Sequence, residues 1–356
     1  MCRERAPRPE IRSERERRGH YTHQKNPSGK VPALTSFETE LRRVVQPRAR
    51  VIIDNDFSGD PDGLVQLAHH VLSPSVEIRA IIGSHLKPGD PFDPSEQTAD
   101  NAAAAATTVL ELLGRAGTIP VLAGSNLGMA DPLSPVRSAA TDAIIAEAMR
   151  TDTDLPLFVA CGAGLTEIAS AYLLEPRIAT RLTLVWIGGP EHDGLAVPPP
   201  GSHGPEYNLA IDIPAARVIF DSFMPIWQVP RDAYRQTLYS WAELLTDVRP
   251  HGAIGAHLYD ALAQVAVMCA EHGLSIGETY ILGDSPLVLL TALQSSFEAD
   301  PASSAYVIRT VPRIRADGSY DVIPRQGPRP MRVYTRLDLR LLFADFTAKL
   351  AGHAAG

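Results

Sequence analysis

The sequence has little of what marks secreted, membrane or nucleic-acid-binding proteins. Only 3 of its 356 residues are cysteine, and Cys2, Cys161 and Cys269 are too scattered to form a disulfide framework or a zinc site. The net charge of −8 provides no basic excess for nucleic acid or an anionic membrane surface. No apolar run approaches the length of a bilayer span, and no secretory signal opens the chain. These absences favour a cytoplasmic protein that binds a small molecule.

What the sequence does contain is the composition of a well-packed α/β protein. Its residues are 45% hydrophobic and 21% charged, which is enough apolar content for one large core or two moderate ones. Strand-like runs at residues 51–53, 78–82, 119–123, 157–160, 182–187 and 225–229 alternate with helix-like segments. The clearest helix is the alanine-rich stretch from Ala99 to Gly114. This alternation predicts an α/β fold with a mainly parallel open sheet and helices on both faces.

The N-terminal part of the chain has a different composition. Residues 1–47 are rich in Arg, Glu, Pro and Ser and carry little apolar content before Val31, so we expect a disordered or poorly ordered extension. An organellar transit peptide is the alternative, but its acidic residues Glu4, Glu10, Glu14 and Glu16 count against it. Residues 48–356 are then expected to form a single α/β domain.

The most informative segment runs from Val51 to Gly63, where three β-favouring residues lead into two Asp-x-Asp pairs. The four acids are Asp54, Asp56, Asp60 and Asp62. Carboxylates brought together by such a turn repel one another unless a cation neutralises them or some of them take up protons. Open α/β sheets bind ligands at the carboxyl ends of their strands. The segment therefore indicates a hard-cation site within reach of a substrate.

Three other interpretations of this acidic loop compete with a metal site. The same residue types form ordinary solvated turns. An EF-hand loop would match the alternating acids, but its twelfth position requires a Glu and is Val65 here. An aspartyl-nucleophile phosphatase would also begin with Asp-x-Asp, but no downstream segment resembles the lysine and threonine motifs of that chemistry.

Three later segments could add chemistry at the same sheet edge. The run from Val159 to Thr166 ends a strand with glycines, which either expose backbone groups to a ligand or form a plain tight turn. Glu206 and Asn208 stand two residues apart and in an extended chain could jointly hold vicinal hydroxyls, unless the loop is simply solvated. Asp284 lies between apolar runs, where an acid is either a helix N-cap or a ligand.

Together these segments resemble the inosine-uridine nucleoside hydrolase family. The family's Asp-x-Asp-Pro-Gly-x-Asp-Asp-Ala is similar to residues 54–63, with Pro61 as one extra residue. Its Pro-Thr-Gly-Pro-Leu-Thr-Asn is similar to residues 160–167, its Glu-Phe-Asn to residues 206–208, and its His-Asp-Pro-Leu to residues 283–287. The four matches keep the family's order along the chain.

The resemblance implies Ca²⁺-dependent hydrolysis of the N-glycosidic bond of ribonucleosides, a reaction of nucleoside catabolism. Asp56, Asp62 and Asp284 would be carboxylate ligands of the Ca²⁺, and the backbone oxygen of Cys161 would be a further ligand. Asp60, Glu206 and Asn208 would bind the ribose hydroxyls. Asp56 would also accept a proton from the attacking water. The implied partner is a small-molecule ribonucleoside, and a homo-oligomer is possible.

The sequence differs from the family pattern at the position that would assist departure of the nucleoside base. Gly283 occupies the position at which many family members carry a His that assists the departing base. His192, His203 and Tyr207 are alternative candidates for that assistance. The departure leaves a second functional class open, in which the chain is a catalytically weak ribosyl-binding protein that uses the same acid and metal pocket.

Overall fold

The computed structural model describes residues 35–295, 303–321 and 329–356, and its central feature is an eight-stranded sheet. The strands are β1 (Ala49–Asn55), β2 (Val76–Gly83), β3 (Val121–Ala123), β4 (Leu157–Cys161), β5 (Leu182–Ile187), β6 (Ile226–Val229), β7 (Leu238–Ser240), β8 (Thr279–Ile281), β9 (Ala305–Thr310) and β10 (Pro330–Arg336). The large sheet has the order β3-β2-β1-β4-β5-β6-β10-β9, and β7 pairs with β8 in a separate two-stranded sheet. Neighbours in the large sheet are parallel except β10 and β9. The predicted mainly parallel sheet is confirmed.

Helices cover both faces of this sheet. They are α1 (Ser36–Val44), α2 (Asp62–Val71), α3 (Thr98–Leu112), α4 (Ala139–Ala148), α5 (Thr166–Leu174), α6 (Tyr207–Ile211), α7 (Ile213–Asp221), α8 (Arg231–Tyr234), α9 (Trp241–Glu243), α10 (Gly252–Glu271), α11 (Pro286–Thr291) and α12 (Leu339–Ala354). Val51 and Ile53 belong to one hydrophobic cluster, whereas Ile52 between them belongs to the other. Since successive strand side chains point to opposite faces, this alternation places a core on each side of the sheet.

The predicted alanine-rich helix is observed as α3. Its buried positions Ala99, Ala102 and Ala106 recur at the spacing of one helix face. Gly114, just beyond the end of α3, has a φ of +64°, a left-handed conformation that glycine adopts at little cost. The expected helix stop is therefore present.

A helix lies within the segment that was predicted to be an N-terminal extension. Residues 1–34 of the predicted extension lie outside the described residues, but α1 lies inside the segment assigned to disorder. Thr35 and Glu38 form a reciprocal capping box at the start of this helix. Arg115, which follows α3 in the chain, forms an ion pair with Glu38, with 2.5 Å between its guanidinium nitrogen and Glu38 Oε2. This helix follows Val31, beyond the segment of low apolar content, and its start is fixed by polar contacts.

The 20-residue helix α10 corrects the expectation that no segment is long and apolar enough to span a bilayer. By length and composition alone this helix could cross a membrane. Its buried residues Ile254, Leu258 and Leu262 belong to one of the two hydrophobic clusters beside the sheet. A helix of a globular core passes the same test, so the finding is weak evidence for a membrane span.

The strand order creates a crevice at the carboxyl edge of the sheet. The chain runs from β1 outward to β2 and β3, and then returns to place β4 on the other side of β1. The connections that leave β1 and β4 consequently diverge, which is the usual position of ligand sites in open α/β sheets. Asp54 pairs in register with Cys161 across this junction.

Candidate functional site

A cavity of about 230 Å³ lies at this crevice. Its walls come from the loops after β1, β4 and β5 and from the segments around α6, α8 and α11. The lining residues are Asp56, Asp60, Asp62, Gly162, Ile187, Glu206, Tyr207, Asn208, Tyr234, Ile281, Gly283 and Asp284. All the predicted site residues except Cys161 are therefore brought together from positions up to 228 residues apart in the chain.

The acidic loop after β1 is neither an EF-hand nor an open turn. A strand leads into it, and α2 begins at Asp62, directly after Pro61. Proline lacks an N–H, but a helix start leaves that donor unpaired in any case, so the extra residue is accommodated there. Asp60 accepts hydrogen bonds from the backbone N–H of Asp62 at 3.2 Å and from the Tyr280 hydroxyl at 2.7 Å.

The carboxyl groups of the cavity are buried and repel one another. Burial and then the charge of Asp284 raise the pKa of Asp56 and of Asp62 well above the usual range. Burial also raises the pKa of Asp284 to about 7, although a hydrogen bond from Asn55 opposes the shift. Burial likewise raises the pKa of Asp60. Such a cluster requires bound protons or a cation.

Asp284 is not a helix cap. The residue at the N-cap position of α11 is Ser285, and that end of the helix has no side-chain cap. The Asp284 side chain instead accepts a hydrogen bond from Asn55 Nδ2 at 2.9 Å, and its backbone N–H donates to Asp62 Oδ2 at 2.9 Å. Its carboxylate is therefore available to the cavity, as the ligand interpretation requires.

The thiol of Cys161 points to neighbouring backbone and not to the cavity. Its Sγ lies 3.4 Å from the carbonyl oxygen of Gly164 and 3.6 Å from that of Ala163. Gly162 lines the cavity in its place. The family resemblance requires only the backbone oxygen of Cys161, so the position of the thiol leaves that assignment a prediction.

Glu206 and Asn208 hold the opposite wall. Glu206 Oε2 accepts from the backbone N–H groups of Gly189 at 2.7 Å and Leu209 at 3.1 Å, which makes Glu206 the N-cap of α6. The Asn208 amide nitrogen donates to the carbonyl oxygens of Gly162 at 3.0 Å and Ile187 at 2.8 Å. These two bonds fix the orientation of the Asn208 amide, whose oxygen remains the group that can accept from a ligand hydroxyl.

Of the three candidates for assisting a leaving base, only Tyr207 lines the cavity. Its hydroxyl donates to Asp90 Oδ2 at 2.5 Å, and Lys87 Nζ lies 4.0 Å from the centre of its ring. His192 is buried, with Nε2 2.7 Å from Gln228 Oε1, and His203 is exposed; neither belongs to the lining.

Two tyrosines of the site were missed in the sequence. Tyr234 donates to Glu206 Oε1 at 2.9 Å, and Tyr280 donates to Asp60 as described above. Tyr280 stands four residues before Asp284, so its place beside an acidic motif was a usable signal. Tyr234 lies on the four-residue helix α8, which carries no recognisable motif.

The carboxylate and backbone carbonyl oxygens at the cavity are the types of ligand that a hard cation binds. Among residues 35–295, 303–321 and 329–356, no three His, Cys, Asp or Glu side chains already converge as a metal-ligand set. The backbone at Gly162 nevertheless lies close to the side chains of Asp284 and Asn55. A Cβ on Gly162 would lie 2.7 Å from Asp284 Oδ1 and 2.7 Å from Asn55 Nδ2. A glycine there lets backbone, carboxylate and amide meet, and carboxylate and carbonyl oxygens are the ligands that Ca²⁺ prefers.

Comparisons with known proteins agree with the resemblance. Residues 51–338 match the family model described as inosine-uridine preferring nucleoside hydrolase. A plant nucleoside hydrolase is 20% identical over 86% of this chain and 99% of its own, with a TM-score of 0.64. A purine-preferring ribonucleoside hydrolase from Gardnerella vaginalis is 20% identical over the same shares, with a TM-score of 0.65. A type III effector protein complexed with adenosine diphosphate ribose is 16% identical over 90% of this chain and 98% of its own, with a TM-score of 0.55. The search of curated proteins gave no match.

Proposed function

This chain belongs to the inosine-uridine preferring nucleoside hydrolase family and is an N-glycosidase, and from that premise we propose that it hydrolyses ribonucleosides to free base and ribose with the help of Ca²⁺. The proposed ligands are the carboxylates of Asp56, Asp62 and Asp284 and the backbone oxygen of Cys161. We also propose that the protein acts in the cytoplasm, on the argument from its few cysteines.

The observation that carries this proposal is the buried cluster of repelling carboxyl groups at the carboxyl edge of the sheet. Asp56, Asp62 and Asp284 are each less than a tenth exposed and share one cavity with the sugar-binding candidates. A divalent cation would neutralise two of these charges and draw the side chains together. Protonation would also relieve the repulsion, but only by removing the base that a hydrolytic reaction needs.

The reaction requires stabilisation of positive charge on the sugar and a water nucleophile. Cleavage of an N-glycosidic bond passes through an oxocarbenium-like state of the ribosyl ring. When bound, Ca²⁺ would supply a water of lowered pKa oriented toward the sugar. In our proposal Asp56 would accept a proton from the attacking water, and the surrounding carboxylates would stabilise the developing positive charge.

The ribose would be held by Asp60, Glu206 and Asn208. Tyr280 donates to Asp60 and Tyr234 donates to Glu206, so each carboxylate is oriented before the sugar arrives. Asn208 has both amide hydrogens committed to backbone carbonyls, which leaves its oxygen to accept from a ribose hydroxyl. We therefore assign hydrogen-bond acceptance, and not donation, to Asn208.

Departure of the base would depend on Tyr207. Burial and then the negative charge of Asp56 raise the pKa of this phenol, so its hydroxyl stays protonated and can donate a hydrogen bond. Gly283 cannot do so. We propose that the Tyr207 hydroxyl turns from Asp90 to the leaving base, a weaker form of assistance than proton transfer from a His.

A second candidate function is weak hydrolysis combined with binding of a larger ribosyl compound. It is favoured by Gly283 and by the structural neighbour that is complexed with adenosine diphosphate ribose. Free ribose would then be released slowly or not at all from nucleosides, whereas adenosine diphosphate ribose would bind to the protein. Calorimetry with that ligand, next to a ribose-release assay, separates the two functions.

The metal assignment is tested by Asp284→Ala in the full-length protein. Removing a coordinating oxygen and a negative charge should weaken Ca²⁺ binding by at least tenfold, measured by isothermal titration calorimetry. Asp142→Ala is the matched control, because Asp142 is an exposed acid paired with Arg137 outside the cavity. Equal Ca²⁺ affinity in Asp284→Ala and in the wild type would refute the ligand set.

A further inference from the structure

We infer that Asn55 is a positioning residue that aligns two of the proposed ligands, Asp56 and Asp284, and that it is itself held by a buried relay of polar side chains. The inference rests on the proposed function, because it assigns Asn55 a role in the arrangement of the Ca²⁺ ligands. Asn55 stands at the variable position of the family's Asp-x-Asp motif, so the resemblance gives it no role.

The side chain of Asn55 makes three hydrogen bonds, which use both its donor positions and its carbonyl oxygen. Its Nδ2 donates to Asp284 Oδ2 at 2.9 Å and to Gln66 Oε1 at 3.2 Å. Its Oδ1 accepts from the backbone N–H of Asp56 at 2.9 Å. One amide thus connects the backbone of one proposed ligand to the carboxylate of another, although the two ligands are 228 residues apart in sequence.

The surroundings of Asn55 are shaped for a planar amide. Asn55 is fully buried, and two glycines, Gly63 and Gly162, lie close to its amide. A Cβ on Gly63 would lie 3.0 Å from Asn55 Nδ2, and a Cβ on Gly162 would lie 2.7 Å from it. A larger residue at either position would displace the amide, so the two glycines allow the close approach on which the Asp284 contact depends.

In the relay of side chains that begins at Asn55, each residue donates a hydrogen bond to the next one. Gln66 accepts from Asn55 through Oε1, so its Nε2 faces His70 Nδ1 as a donor. His70 must then accept at Nδ1 and donate from Nε2 to Thr291 Oγ1 at 2.8 Å, while Thr291 donates to the carbonyl oxygen of Leu287 at 2.6 Å. Burial and then the charges of His69 and Lys349 lower the pKa of His70, which keeps the ring in the neutral form that this pattern needs.

The relay ties the site to two helices of the core. Gln66 and His70 lie on α2 and Thr291 ends α11, the helix that follows Asp284. All three side chains are nearly or fully buried, so every donor and acceptor must be paired internally. The hydrogen bond to Gln66 therefore helps to fix the orientation of the Asn55 amide. If Oδ1 and Nδ2 exchanged places, Nδ2 would face the Asp56 N–H, and Oδ1 would face the oxygens of Asp284 and Gln66.

The test compares Asn55→Ala with Asn126→Ala. Asn126 also donates from its side chain to an Asp carboxylate, that of Asp100, at 2.7 Å, but at the surface of α3. Loss of a group that orients metal ligands typically costs roughly 10–100-fold in metal affinity. Asn55→Ala should weaken Ca²⁺ binding by that factor in titration calorimetry and lower kcat for inosine with little change in KM, whereas Asn126→Ala should change neither.

Asn55→Asp separates alignment from charge. It keeps the shape and an acceptor for Asp56 but replaces the donor that faces Asp284 with an acceptor. An added negative charge alone would tighten Ca²⁺ binding, whereas loss of the donor should weaken it at least tenfold. Weaker binding in a folded Asn55→Asp protein therefore supports the positioning role, and equal or tighter binding overturns it.

Gln66→Leu covers the case in which neither Asn55 variant folds. It leaves the Asn55–Asp284 bond possible but removes the acceptor that orients the amide, so Ca²⁺ affinity should fall severalfold. Unchanged Ca²⁺ affinity in folded Gln66→Leu would refute the relay while the proposed function stands. If the wild type binds no Ca²⁺ at all, the proposed metal site fails and the positioning role falls with it.

Discussion

Tyr207 is the residue on which departure of the base depends in this account. Tyr207 lines the cavity, Lys87 Nζ lies 4.0 Å from the centre of its ring, and its hydroxyl donates to Asp90. A phenol in that position can donate a hydrogen bond to a base but gives up its proton reluctantly, because its pKa is raised. The rate of cleavage should therefore depend on how readily the base leaves.

Tyr207→Phe tests that dependence. Removing the hydroxyl should slow cleavage of inosine by roughly a hundredfold and leave p-nitrophenyl riboside nearly unaffected, since p-nitrophenol leaves without assistance. Single-turnover measurements are needed, because slow product release would make all substrates look alike. His203→Ala, on an exposed residue, is the control. Equal losses on both substrates would show that Tyr207 contributes to binding and not to departure of the base.

At the scale of single residues, sequence reasoning found the groups whose chemistry is unusual for their surroundings. Asp56, Asp60 and Asp62 stand out because neighbouring carboxylates repel one another. Asp284 stands out because an acid rarely interrupts an apolar segment. Tyr234 and Asn55 could not be found in the same way. Their roles arise from what they contact, and these contacts join segments far apart in the chain, so no local spacing encodes them.

At the scale of elements, α1 shows how a polar segment becomes part of the fold. Burial opposes ionisation of Glu38. The nearby His353, whose Nδ1 lies 3.4 Å from Glu38 Oε1, and hydrogen bonds from the Thr35 N–H and Arg115 outweigh burial and lower the pKa of Glu38 to about 2. A carboxyl whose pKa is lowered on folding stabilises the fold fully above its unfolded pKa, near the ordinary value of 4.5. That contribution is lost as the pH falls toward 2.

Glu38→Gln should consequently lower the melting temperature at pH 7, and the difference from the wild type should shrink between pH 4.5 and pH 2. The measurement is thermal unfolding followed by circular dichroism across that range. Glu40→Gln is the matched control, because Glu40 lies on the same helix in an exposed pair with Arg43 and should have little effect. A pH-independent difference for Glu38→Gln would contradict this explanation.

Five of the six predicted strands are largely buried, and the sixth, the short edge strand β3, lies within the apolar run of residues 119–123. All six strand-like runs became strands of the large sheet, because parallel strands covered on both faces are apolar throughout. The edge strand β9 has only half-buried and exposed residues, and β7 and β8 have three residues each. Such short or half-exposed strands carry a pattern too weak to separate from loop sequence.

At the scale of the whole molecule, the sheet assembles a site that no segment contains. The acids after β1, the glycines after β4, the Glu206–Asn208 wall and the segment before α11 meet only because the strand order returns β4 to the side of β1. Since family and fold fix that arrangement, the reaction class could be predicted from sequence. The preferred base and the group that assists its departure could not, because both depend on loops whose geometry is set by tertiary contacts.

The most direct test of the central claim is release of ribose from inosine and uridine by the full-length protein after removal of bound metal with a chelator. The account predicts that ribose release, measured as reducing sugar, stops after chelation and returns when Ca²⁺ is added, but not when the same concentration of K⁺ is added. Full activity in excess chelator, or no ribose release in the presence of Ca²⁺, would contradict it.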